Sequence, residues 1–286
     1  MTSTLYNILY PLSRTVANLR REILQNKARY VLIAGSSGSG KSALSSRLEL
    51  ELRACGKSAL SIPLDSFYKS LDEIPDSQEA EGKDWDHPKA LSREKIQIFF
   101  RELAEKGLAE LPYYSFELNA PLPQGKIMQA QEDTVFLIEG LHSFNTDVLP
   151  LSQDIPHLKI YVDTILPASP EDFDFKLFRT IVRDYELRGR PLAQTLRRWG
   201  FATKALQQWI LPLVKVEDTS LRFYNSFTME EYESLRPRAL TLLFNALLQA
   251  KADFLEHTPM HASTLPYLGT IANILRICTV NDFLKT

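Results

Sequence analysis

Cysteine is scarce, with only Cys55 and Cys278 in a chain of 286 residues. The two form neither a metal-ligand spacing nor a disulfide framework, and buried, reduced thiols are the expectation. An excess of one charge is lacking as well. The 33 basic residues against 35 acidic ones give a net charge of −2, so bulk electrostatics points to neither nucleic acid nor an anionic membrane as partner. No apolar run is long enough to span a bilayer. The N-terminal stretch MTSTLYNILYPLSRTVANLRREIL has no basic leader and no small-residue cleavage site, so a signal peptide is not expected and the chain reads as cytoplasmic. Internal repeats and low-complexity tracts are absent too. What is there is an ordinary globular composition, 44% hydrophobic and 24% charged, which excludes a disordered or fibrous chain.

The hydrophobic pattern alternates between two kinds of segment. Residues 5 to 26 carry a loose helical period (Leu5, Ile8, Leu12, Val16, Leu19, Ile23), interrupted near Pro11. Residues 28 to 35, ARYVLIAG, are a short unbroken apolar run of the kind a strand covered on both faces requires. Similar runs recur at 58–64, 134–138 and 157–162, with helical stretches at 42–53 and 92–106, where Phe99, Phe100 and Leu103 form a core-facing stripe. Strands alternating with helices predict an α/β domain with a mostly parallel sheet. The Pro-rich segments 65–91 and 112–126 read as long loops, where function concentrates. From Phe175 onward the chain reads as mostly helical, with a basic helix at 175–187 and amphipathic helices at 230–256 and 265–283. The expected organisation is a helical arm at 1–27, a catalytic domain at 28–228 and a helical extension packed on it at 229–286.

One motif is complete. Gly35-Ser36-Ser37-Gly38-Ser39-Gly40-Lys41-Ser42 matches GxxxxGK[ST] after a strand and before a helix. Its glycines let successive backbone N–H groups turn inward as a nest for phosphate oxygens. The following helix adds unpaired N–H donors at the positive end of its dipole. Lys41 reaches the β- and γ-phosphates of ATP, and the Ser42 hydroxyl suits a magnesium ligand. The fold expected is therefore that of a P-loop NTPase, a three-layer α/β/α sandwich. Two carboxylates close later strands: Asp65 ends SALSIPLD and Glu139 ends TVFLIE. In an open parallel sheet the carboxyl ends of the strands face the ligand. Both acids are thus candidates beside the γ-phosphate, for holding Mg²⁺ and for accepting the proton of an attacking hydroxyl. His87 and His142 lie near these motifs, with no metal-site spacing.

These residues, in this order, resemble the uridine kinase family, within the group that includes phosphoribulokinase and bacterial pantothenate kinase. The resemblance runs from about Ala28 to Asn225. Asp65-Ser66-Phe67-Tyr68 is similar to the family's DSFY segment, which implies Asp65 as general base and magnesium-site residue and Tyr68 as a wall of the nucleoside pocket. Trp85-Asp86-His87-Pro88 resembles FDHP, which implies that Asp86 bonds the ribose hydroxyls and Trp85 packs on sugar or base. Pro112 to Phe116 resembles P-x-Y-D-F, with Tyr114 and Phe116 matching; Ser115 stands where the family has Asp, and Asn119 where a His is expected. Arg179-Thr180-Ile181-Val182-Arg183-Asp184 and Arg188-Gly189-Arg190 look like the RRxxRD…RGR lid at about 175–200, with Thr180 in place of the second Arg. Arg179 and Arg183 also share a helix face, and such a cluster can stabilise a transferring phosphoryl group. Trp209-Ile210-Leu211-Pro212 and Asn225-Ser226 are similar to a longer bacterial subgroup of uridine kinase-like proteins.

The resemblance implies transfer of the ATP γ-phosphate to the 5′-hydroxyl of uridine or cytidine. Asp65 and Lys41 act with Arg183, Arg188 and Arg190, and Arg179 serves the nucleotide. Ser42, Asp65 and Glu139 hold the metal. Tyr68, Trp85, Asp86, Tyr114, Phe116 and Arg183 face the substrate. The partner is a small-molecule nucleoside, with self-association left open. Two other readings stay open: a different hydroxyl acceptor (another nucleoside, a sugar phosphate, a pantothenate-like alcohol), or a nucleotide-binding regulator with little activity.

Overall fold

Tyr30–Gly35 has no charged side chain and no alternation, and as strand β1 it is buried at every position. In the computed structural model the described residues are 16–76, 83–151, 155–165, 175–190, 192–216, 221–226 and a few positions between 238 and 245. Around β1 lie β2 (Ala59–Pro63), β7 (Val135–Glu139), β8 (His157–Ile165) and β9 (Leu221–Ser226). They form one sheet in the order β2-β7-β1-β8-β9, every pair parallel. The strands expected from the apolar runs are thus present.

Period-two geometry divides each strand between two cores. Tyr30, Leu32 and Ala34 join Ile62 and Ile138 in one buried cluster, whereas Val31 and Ile33 join Leu137 and Val162 in the other. The second cluster is covered by helix α1 (Val16–Gln25), through Val16, Leu19 and Ile23, and by α2 (Lys41–Ala54), through Leu44, Leu48 and Leu52. An Arg20–Glu51 ion pair of 2.7 Å joins the two helices at their surface. The first cluster is covered by α3 (Arg93–Lys106), through Ile96, Phe99 and Leu103. Its start is fixed by Ser92, whose hydroxyl accepts from the Lys95 N–H at 3.3 Å. Helices on both faces of a parallel sheet give the expected three layers, and each fully buried Leu or Ile contributes about 1.5–3 kcal/mol.

Four expectations change. Residues 112–126 are not a plain loop: β3 (Leu108–Leu111) pairs antiparallel with β6 (Lys126–Gln129), and β4 (Tyr114–Ser115) with β5 (Ala120–Pro121). Ladders this short leave no apolar period; in β6 only Met128 is buried. The chain beyond Phe175 is not helical throughout, since β9 closes the sheet edge. Its Leu221 and Phe223 pack on the core and alternate with polar residues, as an edge strand requires. The basic helix extends as α4 over Phe175–Arg188 and is followed by α5 (Leu192–Ala205), a π-helical turn at Leu206–Ile210 and α6 (Leu211–Val216). Cys55 is a free thiol on the surface, at the end of α2, rather than buried.

Packing divides the chain into two compact units, residues 1–170 with 201–226, and residues 171–200 with 227–286. Residues 1–15 of the N-terminal arm, Cys278 and nearly all of the helical stretches at 230–256 and 265–283 lie outside the described residues. Among the described residues no helix is long and apolar enough to cross a membrane.

Candidate active site

β1 ends in the glycine-rich loop because nothing larger fits. A Cβ on Gly35 would stand 2.2 Å from the Val162 carbonyl oxygen of β8, so the loop leaves the sheet against bare backbone. Gly38 and Gly40 have φ of 76° and 93°, the left-handed region that lets the chain reverse and aim its N–H groups inward. Gly40 then caps α2, and its carbonyl accepts the first helical bond, from Leu44, at 2.9 Å. The Lys41 ammonium folds back across the loop to the Ser36 carbonyl at 2.9 Å. The Ser36 hydroxyl is buried without a partner among the described residues. Such a cradle has donors in place for an anion.

The two strand-end acids sit around this loop. Glu139 is in register with Ile33 of β1 on one side and Pro63 of β2 on the other, and Asp65 follows two residues after Pro63. Glu139 is buried, and its Oε1 accepts from the Ser42 hydroxyl at 2.8 Å. Two of the three expected metal ligands are therefore already in contact. A hydroxyl and a carboxylate beside a phosphate nest are the hard oxygen donors that Mg²⁺ takes when phosphates supply the rest of its shell. No cluster of three or more His, Cys, Asp or Glu side chains suited to a metal occurs among the described residues.

The aromatic residues expected at the acceptor meet one another. Tyr68 lies 5.7 Å from Trp85, 5.4 Å from Tyr114 and 6.4 Å from Phe116, ring centre to ring centre. Trp85 and Tyr68 are buried, and their edge-to-face contacts make a rigid wall. The departures from the family pattern acquire local reasons. The Ser115 hydroxyl accepts from the Leu118 N–H at 3.1 Å and closes the turn between β4 and β5. Asn119 has φ 51°, a left-handed position that Asn tolerates. His87 shapes its loop, its Nδ1 accepting from the Lys89 N–H at 3.0 Å, while its ring packs on Trp209.

The arginines of the other unit converge on a residue that the sequence reading left without a role. Asp184 of α4 is 2% exposed. Its Oδ1 accepts from Arg183 Nη2 at 2.7 Å and Arg188 Nη1 at 3.4 Å, and its Oδ2 from Arg190 Nη1 at 2.7 Å. Burial pushes its pKa up, but Arg183, Arg190 and Arg188 outweigh that and hold the carboxyl below its usual range. Arg190 is itself buried, and burial with Arg198 nearby brings its guanidinium down to about 10, still charged at neutral pH. One carboxylate thus orders three guanidiniums. The signal in the sequence was an acid among basic residues at helical spacing. Arg179 lies one turn before Arg183 on α4. Thr180 is buried at 5% exposure.

A family model described as "Phosphoribulokinase / Uridine kinase family" matches residues 31–226. The chain belongs to that family. Among curated members, a uridine kinase from Macrococcus caseolyticus is 29% identical over 194 residues, covering 68% of this chain and 87% of its own. Uridine-cytidine kinase B from Dictyostelium discoideum is 32% identical over 187 residues, covering 65% and 71%. Among solved structures, D-glycerate 3-kinase from Cryptococcus neoformans superposes with a TM-score of 0.52 at 13% identity, over 74% of this chain and 95% of that one, a likeness of fold. As a member of the phosphoribulokinase / uridine kinase family the protein is an ATP-dependent phosphotransferase whose acceptor is an alcohol group.

Proposed function

We propose that this kinase transfers the γ-phosphate of ATP to the 5′-hydroxyl of a pyrimidine nucleoside, uridine or cytidine. The observation that carries the reading is the aromatic wall of Tyr68, Trp85, Tyr114 and Phe116 next to Asp86, in the same unit as the Asp65 strand end. Aromatic faces suit a planar base, and a carboxylate suits a vicinal diol. The names of the two curated relatives agree with it.

In this reading the nest at Gly35–Ser42 and the Lys41 ammonium hold the triphosphate, with Arg179 assisting. Ser42, Glu139 and Asp65 would hold Mg²⁺, which would supply charge neutralisation at the triphosphate. Asp65 orients the 5′-hydroxyl and takes its proton as the oxygen bonds to the γ-phosphorus and the bond to the ADP oxygen breaks. Arg183, Arg188 and Arg190 stabilise the charge on the moving phosphoryl group, and Asp184 holds them together and oriented. Asp65→Asn then abolishes turnover while ATP still binds; near-normal activity in that variant refutes the assignment.

A second reading keeps the chemistry and changes the acceptor. It is favoured by Ser115 and Asn119, whose observed work is to build the β4–β5 turn. ADP release with a panel of uridine, cytidine, purine nucleosides, ribulose 5-phosphate and pantothenate separates the two. ATP binding without release for any acceptor points to a regulator instead.

A further inference from the structure

His142 lies three residues beyond Glu139 and takes no part in the mechanism above, yet it is among the most enclosed polar side chains, at 3% exposure. Its Nε2 stands 2.8 Å from the main-chain carbonyl oxygen of Asp86, 56 residues earlier in the chain. A carbonyl only accepts, so Nε2 carries the proton and Nδ1 is left with a lone pair. Burial is the main influence on the ring and brings its pKa down to about 4, against the bond to Asp86, so the ring is neutral near pH 7. Nδ1 is buried and has no partner among the described residues. An unsatisfied buried acceptor is unfavourable, which a leucine at this position would avoid. What histidine supplies in return, on the contacts present, is the bond to Asp86.

That bond is half of a clamp. The Asp86 N–H donates to Asp84 Oδ1 at 3.1 Å, so both main-chain polar groups of Asp86 are held by side chains. On either side the neighbours are fixed as well: Trp85 by the rings of Tyr68 and Tyr114, His87 by the ring of Trp209 at 5.5 Å. A residue pinned at its amide, its carbonyl and both neighbours has little freedom in where its side chain points. Such support holds a binding group in its productive direction.

We infer that His142 is a positioning residue: its bond to the Asp86 carbonyl sets the direction of the Asp86 carboxylate, and through it the affinity for an acceptor that carries a vicinal diol. This rests on the reading that Asp86 binds acceptor hydroxyls. It deepens that reading by naming what holds Asp86 in place.

Steady-state kinetics with the acceptor identified by the panel test it. His142→Leu removes the donor, whereas His142→Gln places an amide nitrogen about where Nε2 stands. His142→Leu is expected to raise KM for the diol-bearing acceptor about tenfold, the loss of one well-placed bond, with KM for ATP and kcat within about twofold of wild type. His142→Gln recovers most of the loss. With the same acceptor lacking its diol, His142→Leu and wild type perform alike. An unchanged acceptor KM in His142→Leu, or an equal rise for the acceptor without the diol, overturns the inference. If His142→Leu does not fold, His142→Asn, too short to reach Asp86, replaces it. A raised KM in His142→Asn but not in His142→Gln then supports the inference, and equal values overturn it. A wild-type enzyme that uses no diol-bearing acceptor sinks the underlying reading instead; a wild type that uses one, with a variant that does not care, sinks only the role of His142.

Discussion

Replacing Asp184 by Asn removes one charge and almost no volume, so its effect isolates the electrostatic role of the carboxylate. At 2% exposure Asp184 is ion-paired with Arg183, Arg188 and Arg190, and Arg190 is 3% exposed in its side chain. Arg183 and Arg188 are 29% and 23% exposed and are screened by solvent, so the loss of attraction to them is small. Arg190 is not: the substitution takes the anion at 2.7 Å from a buried guanidinium and leaves an amide that offers one oxygen in place of two. Breaking a buried pair by removing one partner is destabilising by about 3–5 kcal/mol, and about 3 is expected here. With a urea slope of about 2–3 kcal/mol per molar, the unfolding midpoint falls by about 1–1.5 M. Urea titration followed by circular dichroism reads this directly. The pH dependence supplies a sign check. A carboxyl held below its usual pKa contributes stability that is full above about pH 4 and lost as pH falls through the folded value. The gap between wild type and Asp184→Asn should therefore be complete at pH 7 and narrow below about pH 4. A midpoint within about 0.2 M of wild type at pH 7, or a gap independent of pH, refutes the account of this cluster.

Other parts of the molecule give expectations of the same kind. His142 has its pKa lowered to about 4 by burial, so the unfolded chain binds a proton more readily between pH 6.5 and 4; stability falls across that window by up to about 3 kcal/mol, and His142→Leu flattens the thermal-melting profile there. Gly35→Ala drives a methyl into the Val162 carbonyl, so nucleotide affinity and melting temperature both fall; unchanged calorimetric ATP binding contradicts the close approach. Leu48→Ala empties a fully buried site between α2 and the sheet and lowers stability by about 2–5 kcal/mol in denaturant titration, with KM for ATP preserved in the folded fraction.

The sheet was legible because each central strand is a short apolar run ending at a residue with chemistry. Gly35, Pro63 before Asp65, and Glu139 all mark carboxyl ends of parallel strands, and the fold brings those ends together. The P-loop was legible for the same reason that it works: its glycines are demanded by backbone angle and by the nearness of β8. What stayed hidden was cooperative. β9 is an edge strand whose half-apolar alternation is weak beside the helical signals around it, and the 108–129 ladders are too short to carry a period. Asp184 appeared in the motif, but only folding shows one carboxylate gathering three arginines. Thr180, which in sequence stands where a cation is expected, is buried on α4. His142 was noticed near the motifs, but its contact was hidden because its partner is a backbone carbonyl, which no side-chain pattern announces.

Product identification tests the central claim most directly. The enzyme incubated with ATP, magnesium and uridine or cytidine, and followed by ³¹P NMR, should yield ADP and the nucleoside 5′-monophosphate in equal amounts, with no product from Asp65→Asn. ADP release confined to a non-nucleoside alcohol, or a phosphate placed on the 2′- or 3′-hydroxyl, would contradict it.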